Sequence, residues 1–193
     1  MRRDDDVLRI DALRIPALAA LPWFLPGFAI SVVVGYLVRH RAARLLGASP
    51  LLGWAVVVSL GIVASATLTP LHEAAFEGGV QTTGCDFSRV GLASLEDILE
   101  LGDTFLNILL FIPLGAALGL LPRSRRKAWL TLGGLALPFV IETTQLIATP
   151  LDRACQSADI VDNVSGLLIG LVIGSVAGLL LSRATPAPRN RPD

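Results

Sequence analysis

Five stretches of this chain, residues 17–38, 51–69, 104–121, 128–148 and 162–181, carry almost no charge, the exceptions being Glu142 inside the fourth and Asp162 at the rim of the fifth. At 1.5 Å of helical rise per residue, each is long enough to cross ~30 Å of hydrocarbon. With 53% hydrophobic residues, 17% charged residues and a mean hydropathy of +0.66 over 193 residues, a water-soluble domain would leave far too much apolar surface on water. The chain is therefore expected to be all-α, an integral membrane helical bundle of about five transmembrane helices. Pro22, Pro26 and Pro138 fall inside these stretches, where bundle neighbours can satisfy the freed carbonyls.

The same pattern sets the domain organisation: a polar N-terminal segment over 1–16, a polytopic transmembrane domain over 17–182, and a proline-rich tail over 183–193 that is expected to be disordered and cytoplasmic. The segment before the first span holds Asp4, Asp5 and Asp6 and lacks the basic run and small-residue cleavage site of a secretory signal, so it is expected to be retained.

Orientation follows from the basic residues of the short loops. Arg39, Arg41, Arg44, Arg123, Arg125, Arg126, Lys127, Arg183, Arg189 and Arg191 share one side if there are five spans. This places the N-terminus outside and the C-terminus in the cytoplasm, as a multi-pass protein of the cell membrane. The acids fall on the opposite side, except Asp193. The only two cysteines, Cys85 and Cys155, also fall outside, where a disulfide persists. A Cys85–Cys155 bond is the expectation, with two unrelated free thiols as the alternative.

The loop over about 70–103 is the largest non-membrane piece. Ser94-Leu95-Glu96-Asp97 is a helix-start signal, and Leu95, Ile98 and Leu99 make an apolar stripe against Glu96, Asp97 and Glu100. A short amphipathic helix on the outer membrane surface is predicted, either a lid or a plain connector. Gly166, Gly170, Gly174 and Gly178 recur at every fourth position, and Gly115 with Gly119 does the same on the third span. Such stripes allow close backbone approach. They predict a tight core of spans three, four and five, with self-association through the Gly166/Gly170/Gly174/Gly178 stripe as the alternative.

Against this background the buried polar residues stand out, because acids and amides at membrane depth are expensive. Glu142 and Gln145 are three apart and share a face of the fourth span. Asn107 lies just inside the third, and Asp159, Asp162, Asn163 and Gly166 form an i, i+3, i+4, i+7 series entering the fifth. Three helices thus deliver polar groups to one outward-facing level. Arg153 is the cation expected to pair with Glu142, Asp159 or Asp162, since a lone carboxylate in low dielectric would take up a proton. The group is either structural glue or a ligand or catalytic pocket.

The string Asn107-x-x-x-Phe111-x-Pro113-x-Gly115, then Glu142-x-x-Gln145, Arg153 and Asp159-x-x-Asp162-Asn163-x-x-Gly166-x-x-x-Gly170, resembles the VanZ-like family of small polytopic membrane proteins over about residues 60–180, including the Thr67-Leu68-Thr69-Pro70 end of span two. The resemblance implies an association with resistance to teicoplanin, a lipoglycopeptide that acts at the cell envelope, and no particular reaction. It marks Asn107, Phe111, Pro113, Gly115, Glu142, Gln145, Arg153, Asp159, Asp162, Asn163 and Gly166 as characteristic. The cysteine pair and the additional first span depart from that core.

Two functional readings follow. One is a non-catalytic module that binds a lipid-linked or amphiphilic envelope molecule, with Asn107, Gln145 and Asn163 as hydrogen-bonding groups, Arg153 on an anionic head group, Glu142, Asp159 and Asp162 lining the site, and the glycine-opened groove receiving an acyl chain. The other is an intramembrane enzyme of lipid or envelope-precursor metabolism, with Glu142 and Asp159 or Asp162 as general acid and base or as oxygen ligands for Mg²⁺ or Ca²⁺. No phosphate loop, paired phosphoryl-transfer aspartates or Ser-His pairing is present. The sequence calls for no cofactor and no resident metal. Membrane lipids are the expected surroundings, and the short basic loops suit anionic lipid better than nucleic acid.

Overall fold

A computed structural model of the chain describes residues 21–72, 84–99, 102–151 and 153–184. The expected N-terminal segment over 1–16 and most of the expected tail lie outside them. Among the described residues six α-helices follow in order: α1 Phe24–Leu46, α2 Pro50–Thr67, α3 Leu95–Leu99, α4 Asp103–Leu120, α5 Arg125–Ile147 and α6 Ser157–Ala184. The only strands among the described residues are β1, Cys85–Asp86, and β2, Cys155–Gln156, which pair in parallel. The fold is an all-α membrane bundle.

Among the described residues, four helices rather than five are long and apolar enough to cross a membrane: α2, α4, α5 and α6. Helix α1 falls short because its apolar part from Phe24 ends at Val38, before Arg39, His40 and Arg41. Residues 17–20, where the first span was expected to begin, are outside the described part. In the opposite direction, α6 starts five residues before the expected fifth span, so Asp159 stands on helix rather than in a loop.

Helices α1 and α2 form an antiparallel hairpin joined by a turn whose pivot is Gly47, at φ 64°. The left-handed conformation favours glycine there. Ser49 caps α2 by accepting from the Leu52 N–H at 3.3 Å. The pair interlocks through small residues: a side chain on Gly27 would strike Ser65, one on Gly61 would strike Ser31, and one on Gly53 would meet the backbone at Arg39 and Ala43. This second small-residue seam runs Gly27, Ser31, Gly35 at every fourth position.

Among the described residues the tightest helix contact is between α4 and α6, which run parallel. Along α6, a Cβ on Gly166, Gly170 or Gly174 would collide with the carbonyl oxygens of Ile108, Ile112 and Ala116 in turn. Along α4, a Cβ on Gly115 or Gly119 would collide with the carbonyls of Leu167 and Leu171. The glycine stripe is therefore filled from within the chain, and a dimer through Gly166, Gly170 and Gly174 would have to displace α4. Helix α5 lies against the pair through one buried stripe, Gly134, Pro138, Ile141, Glu142 and Gln145, the spacing of a single helical face. Phe111, Leu114, Leu118, Ile141 and Leu167 meet with Val63 of α2 to make the apolar core.

Helix α3 forms as the sequence suggests. The Ser94 hydroxyl accepts from the Asp97 N–H at 3.1 Å, and Asp97 returns an acceptor to the Ser94 N–H at 3.2 Å, a reciprocal cap with aspartate in place of glutamate. The exposed Asp97 carboxyl is held below its usual range, first by hydrogen bonds from Ser94. Asn107, Glu142, Asp159 and the disulfide gather at one end of the bundle, and the last turns of α1 with Arg39, Arg41 and Arg44, together with Arg123 and the α5 start with Arg125 to Lys127, gather at the other.

Candidate functional site

The site is built where α2 and α5 end and α4 and α6 begin. The last carbonyls of a helix have no partner inside it, and two of those just at and beyond the end of α2 are met by side chains from elsewhere. The Gln145 amide Nε2 donates to the Thr67 carbonyl at 2.9 Å, and the Arg153 Nε donates to the Thr69 carbonyl at 3.1 Å. Glu142, one turn before Gln145 on the buried face of α5, accepts from the Gln156 N–H at 2.8 Å through Oε2. Across the bundle, Asn107 of α4 donates from Nδ2 to Asp159 Oδ1 of α6 at 2.7 Å. Side chains of α4 and α6 thus meet directly, whereas Glu142 and Gln145 of α5 bond to backbone groups of Gln156 and Thr67.

Asp162 takes a cation other than Arg153. Asp162 accepts from Nη2 of Arg89, not from Arg153, and the same guanidinium reaches the Thr104 hydroxyl at 3.4 Å. Asp162 is 2% exposed and the Arg89 side chain 28%. The bond to Asp162 holds the Arg89 pKa above its ordinary value. Arg153 is instead an interior donor within electrostatic reach of Asp159 and Glu142. Burial pulls its pKa below the ordinary value, while those two carboxylates raise it.

The sequence reading did not single out Arg89. The signal that could have found it is its place relative to the disulfide. Cys85 and Cys155 are bonded with Cα atoms 4.5 Å apart, and their strands β1 and β2 pair through Cys85 with Cys155 and Asp86 with Gln156. Two residues past Cys155, the Ser157 hydroxyl donates to the Arg89 carbonyl at 2.7 Å. The covalent link, the ladder and this bond hold the loop so that its arginine faces Asp162. Reduction of the protein, or Cys85→Ser, should release residues 84–99 and make them cleavable by added protease while the bundle stays helical, as read by gel fragments and circular dichroism. Equal resistance of oxidised and reduced protein would contradict this role.

Three side-chain atoms at this end are buried without a partner among the described residues: Gln145 Oε1, Arg153 Nη2 and Asn163 Oδ1. They comprise one cationic donor and two acceptors. Gln145 and Asn163 are 6% and 1% exposed. Such atoms are uncommon and costly in a folded protein. Among the described residues no three His, Cys, Asp or Glu side chains come together as a metal cage. The groove cleared by the α6 glycines, expected to receive an acyl chain, is occupied by the α4 backbone. A different apolar cleft of about 470 Å³ lies beside the site, lined by Trp23, Gly27, Ile30, Leu68, Thr69 and Pro70. Thr69 is shared, because its carbonyl holds Arg153.

The model of one family, described as VanZ/LLP1, matches residues 56–178. No curated protein and no solved structure matches the chain.

Proposed function

We propose that this chain, which belongs to the VanZ/LLP1 family, holds the polar head of an amphiphilic or lipid-linked envelope molecule at the disulfide end of its bundle. The observation that carries this reading is the set of unsatisfied atoms. Gln145 and Arg153 are anchored by one nitrogen each, to the carbonyls of Thr67 at the end of α2 and Thr69 just beyond it, which leaves Oε1 and Nη2 without a partner among the described residues, as Asn163 Oδ1 is at the same end of the bundle. A head group with an anionic or carbonyl oxygen for Arg153 and hydroxyl or amide donors for the two amides would satisfy all three. The cleft at Thr69 and Trp23 is the seat for an apolar tail. Asp162 with Arg89, and Asp159 with Asn107, hold the walls.

In this proposal the disulfide end faces outside, where such a bond persists, and the basic end faces the cytoplasm. Phe87, Val90, Leu92, Leu95 and Leu99, each at least 69% exposed, rest the loop and α3 on the outer leaflet. A lipoglycopeptide, with its sugars and acyl chain, belongs to the class that suits such a site.

Teicoplanin serves as the probe, titrated into the detergent-purified protein, alongside mass spectrometry of copurified lipid. Arg153→Gln should weaken binding by roughly 10-fold or more, the worth of a hydrogen bond to a charged group, and Gln145→Ala by roughly fivefold. Unchanged affinity in Arg153→Gln, together with identical copurified lipids in wild type and variant, would sink the proposal.

A further inference from the structure

We propose that the basic end of the bundle, opposite the site above, binds the phosphate of an anionic phospholipid between Arg44 and Arg126. A cleft of about 590 Å³ opens there, lined by His40, Ala43, Arg44, Gly47, Ala48 and Pro50. Arg126 reaches its rim from the start of α5, with Nη1 3.2 Å from the position a Cβ on Gly47 would take. Helix α1, the α1–α2 turn and α5 thus bring two guanidiniums to one concavity.

Charge complementarity identifies the sign of the occupant. Residues 39–50 and 121–128 hold Arg39, Arg41, Arg44, Arg123, Arg125, Arg126 and Lys127 and no carboxylate. Some of these cations are already employed. Arg39 lies 3.6 Å over the Tyr36 ring and donates to the Tyr36 carbonyl at 2.8 Å, and the Lys127 ammonium donates to the carbonyls of Gly119 and Leu121, near the end of α4. Arg44 and Arg126 have no carboxylate partner among the described residues. Planar guanidiniums are well suited to phosphate oxygens.

The neighbouring side chains identify a lipid rather than a free anion. Leu45 at 73%, Leu51 at 72% and Trp129 at 67% exposure lie next in sequence or within one turn of the cleft residues. Tryptophan at such a level is characteristic of the membrane–water boundary. A free phosphate would leave these apolar groups uncovered, whereas a phospholipid places its phosphate on the arginines and its acyl chains along Leu45 and Leu51.

The test is native mass spectrometry of the intact protein in detergent, titrated with phosphatidylglycerol or phosphatidylcholine. Phosphatidylglycerol should bind more tightly, and R44Q/R126Q should weaken it by roughly 30-fold, the worth of two cations near an anionic surface. Phosphatidylcholine binding should change by less than about threefold. R123Q/R125Q, which removes the same charge outside the cleft, should keep phosphatidylglycerol affinity within about threefold. An unchanged melting temperature of R44Q/R126Q without added lipid establishes that it folds. Equal losses in the two double variants would show a diffuse field and overturn the site, as would full phosphatidylglycerol binding by R44Q/R126Q. Displacement of the lipid by an equal concentration of inorganic phosphate would overturn it in favour of a simple anion site.

Discussion

Gly170→Leu should separate α4 from α6 and cost the protein much of its stability. Gly170 sits where a Cβ would collide with the Ile112 carbonyl and lie 2.8 Å from the Ala116 nitrogen, so the obstacle is backbone and cannot rotate away. Overpacking a core with movable side chains costs about 1–3 kcal/mol. Here the helices themselves must part, and the dispersion contacts along the whole seam weaken with them. A loss of ~3 kcal/mol or more is expected, which corresponds to a fall of roughly 10 °C in Tm for a domain of this size. Gly133→Leu is the matched control, because a Cβ at Gly133 meets nothing within 4 Å. Thermal melting in detergent should show the control near wild type. A Gly170→Leu protein that melts with it would refute the seam.

Arg89→Met should be the most damaging change at the polar end, and more damaging than Asp162→Asn. Asp162 is 2% exposed and its cation comes from a loop with access to water. Removing the arginine strands a carboxylate in the interior, which costs about 3–5 kcal/mol, whereas replacing the buried acid by a neutral amide leaves a guanidinium that can turn toward solvent. The double variant R89M/D162N should therefore be more stable than Arg89→Met alone, with a coupling of roughly 1–3 kcal/mol in the double-mutant cycle. Additive losses would mean that the two residues act independently. Should Arg89→Met also lower teicoplanin affinity while R89M/D162N restores it, the pair's task is to hold the α6 wall of the pocket.

The bundle was legible because its constraints are local and periodic. Runs of apolar residues at hydrocarbon length marked α2, α4, α5 and α6, and the four-residue glycine period announced a close helix contact before any partner was known. The same period at Gly27, Ser31 and Gly35 went unread, since serine interrupts it and α1 ends in arginines. Glu142, Gln145, Asn107, Asp159 and Asp162 were found by the expense of polarity in an apolar run. Arg89 was not, because a loop arginine is ordinary by composition and its partner lies 73 residues further along the chain. Pairings of that range are set by how the loop is tethered, and the cysteines held that information. Arg153 keeps Asp159 and Glu142 within electrostatic reach, but its hydrogen bond to the Thr69 carbonyl was not foreseen, because a chain carbonyl in need of a donor leaves no mark in the sequence.

Because α4 and α6 run parallel, both begin at the same end of the bundle. Each helix start carries roughly half a positive charge from its aligned peptide groups, and two such starts lie side by side where Asp103 and Asp159 occupy first turns. The returning helices α2 and α5 finish there with the opposite partial charge, at the point where Arg153 donates to Thr69. Acid and base at this end are thereby sorted by the direction of the backbone, carboxylates at the two helix starts and a guanidinium at the helix finishes.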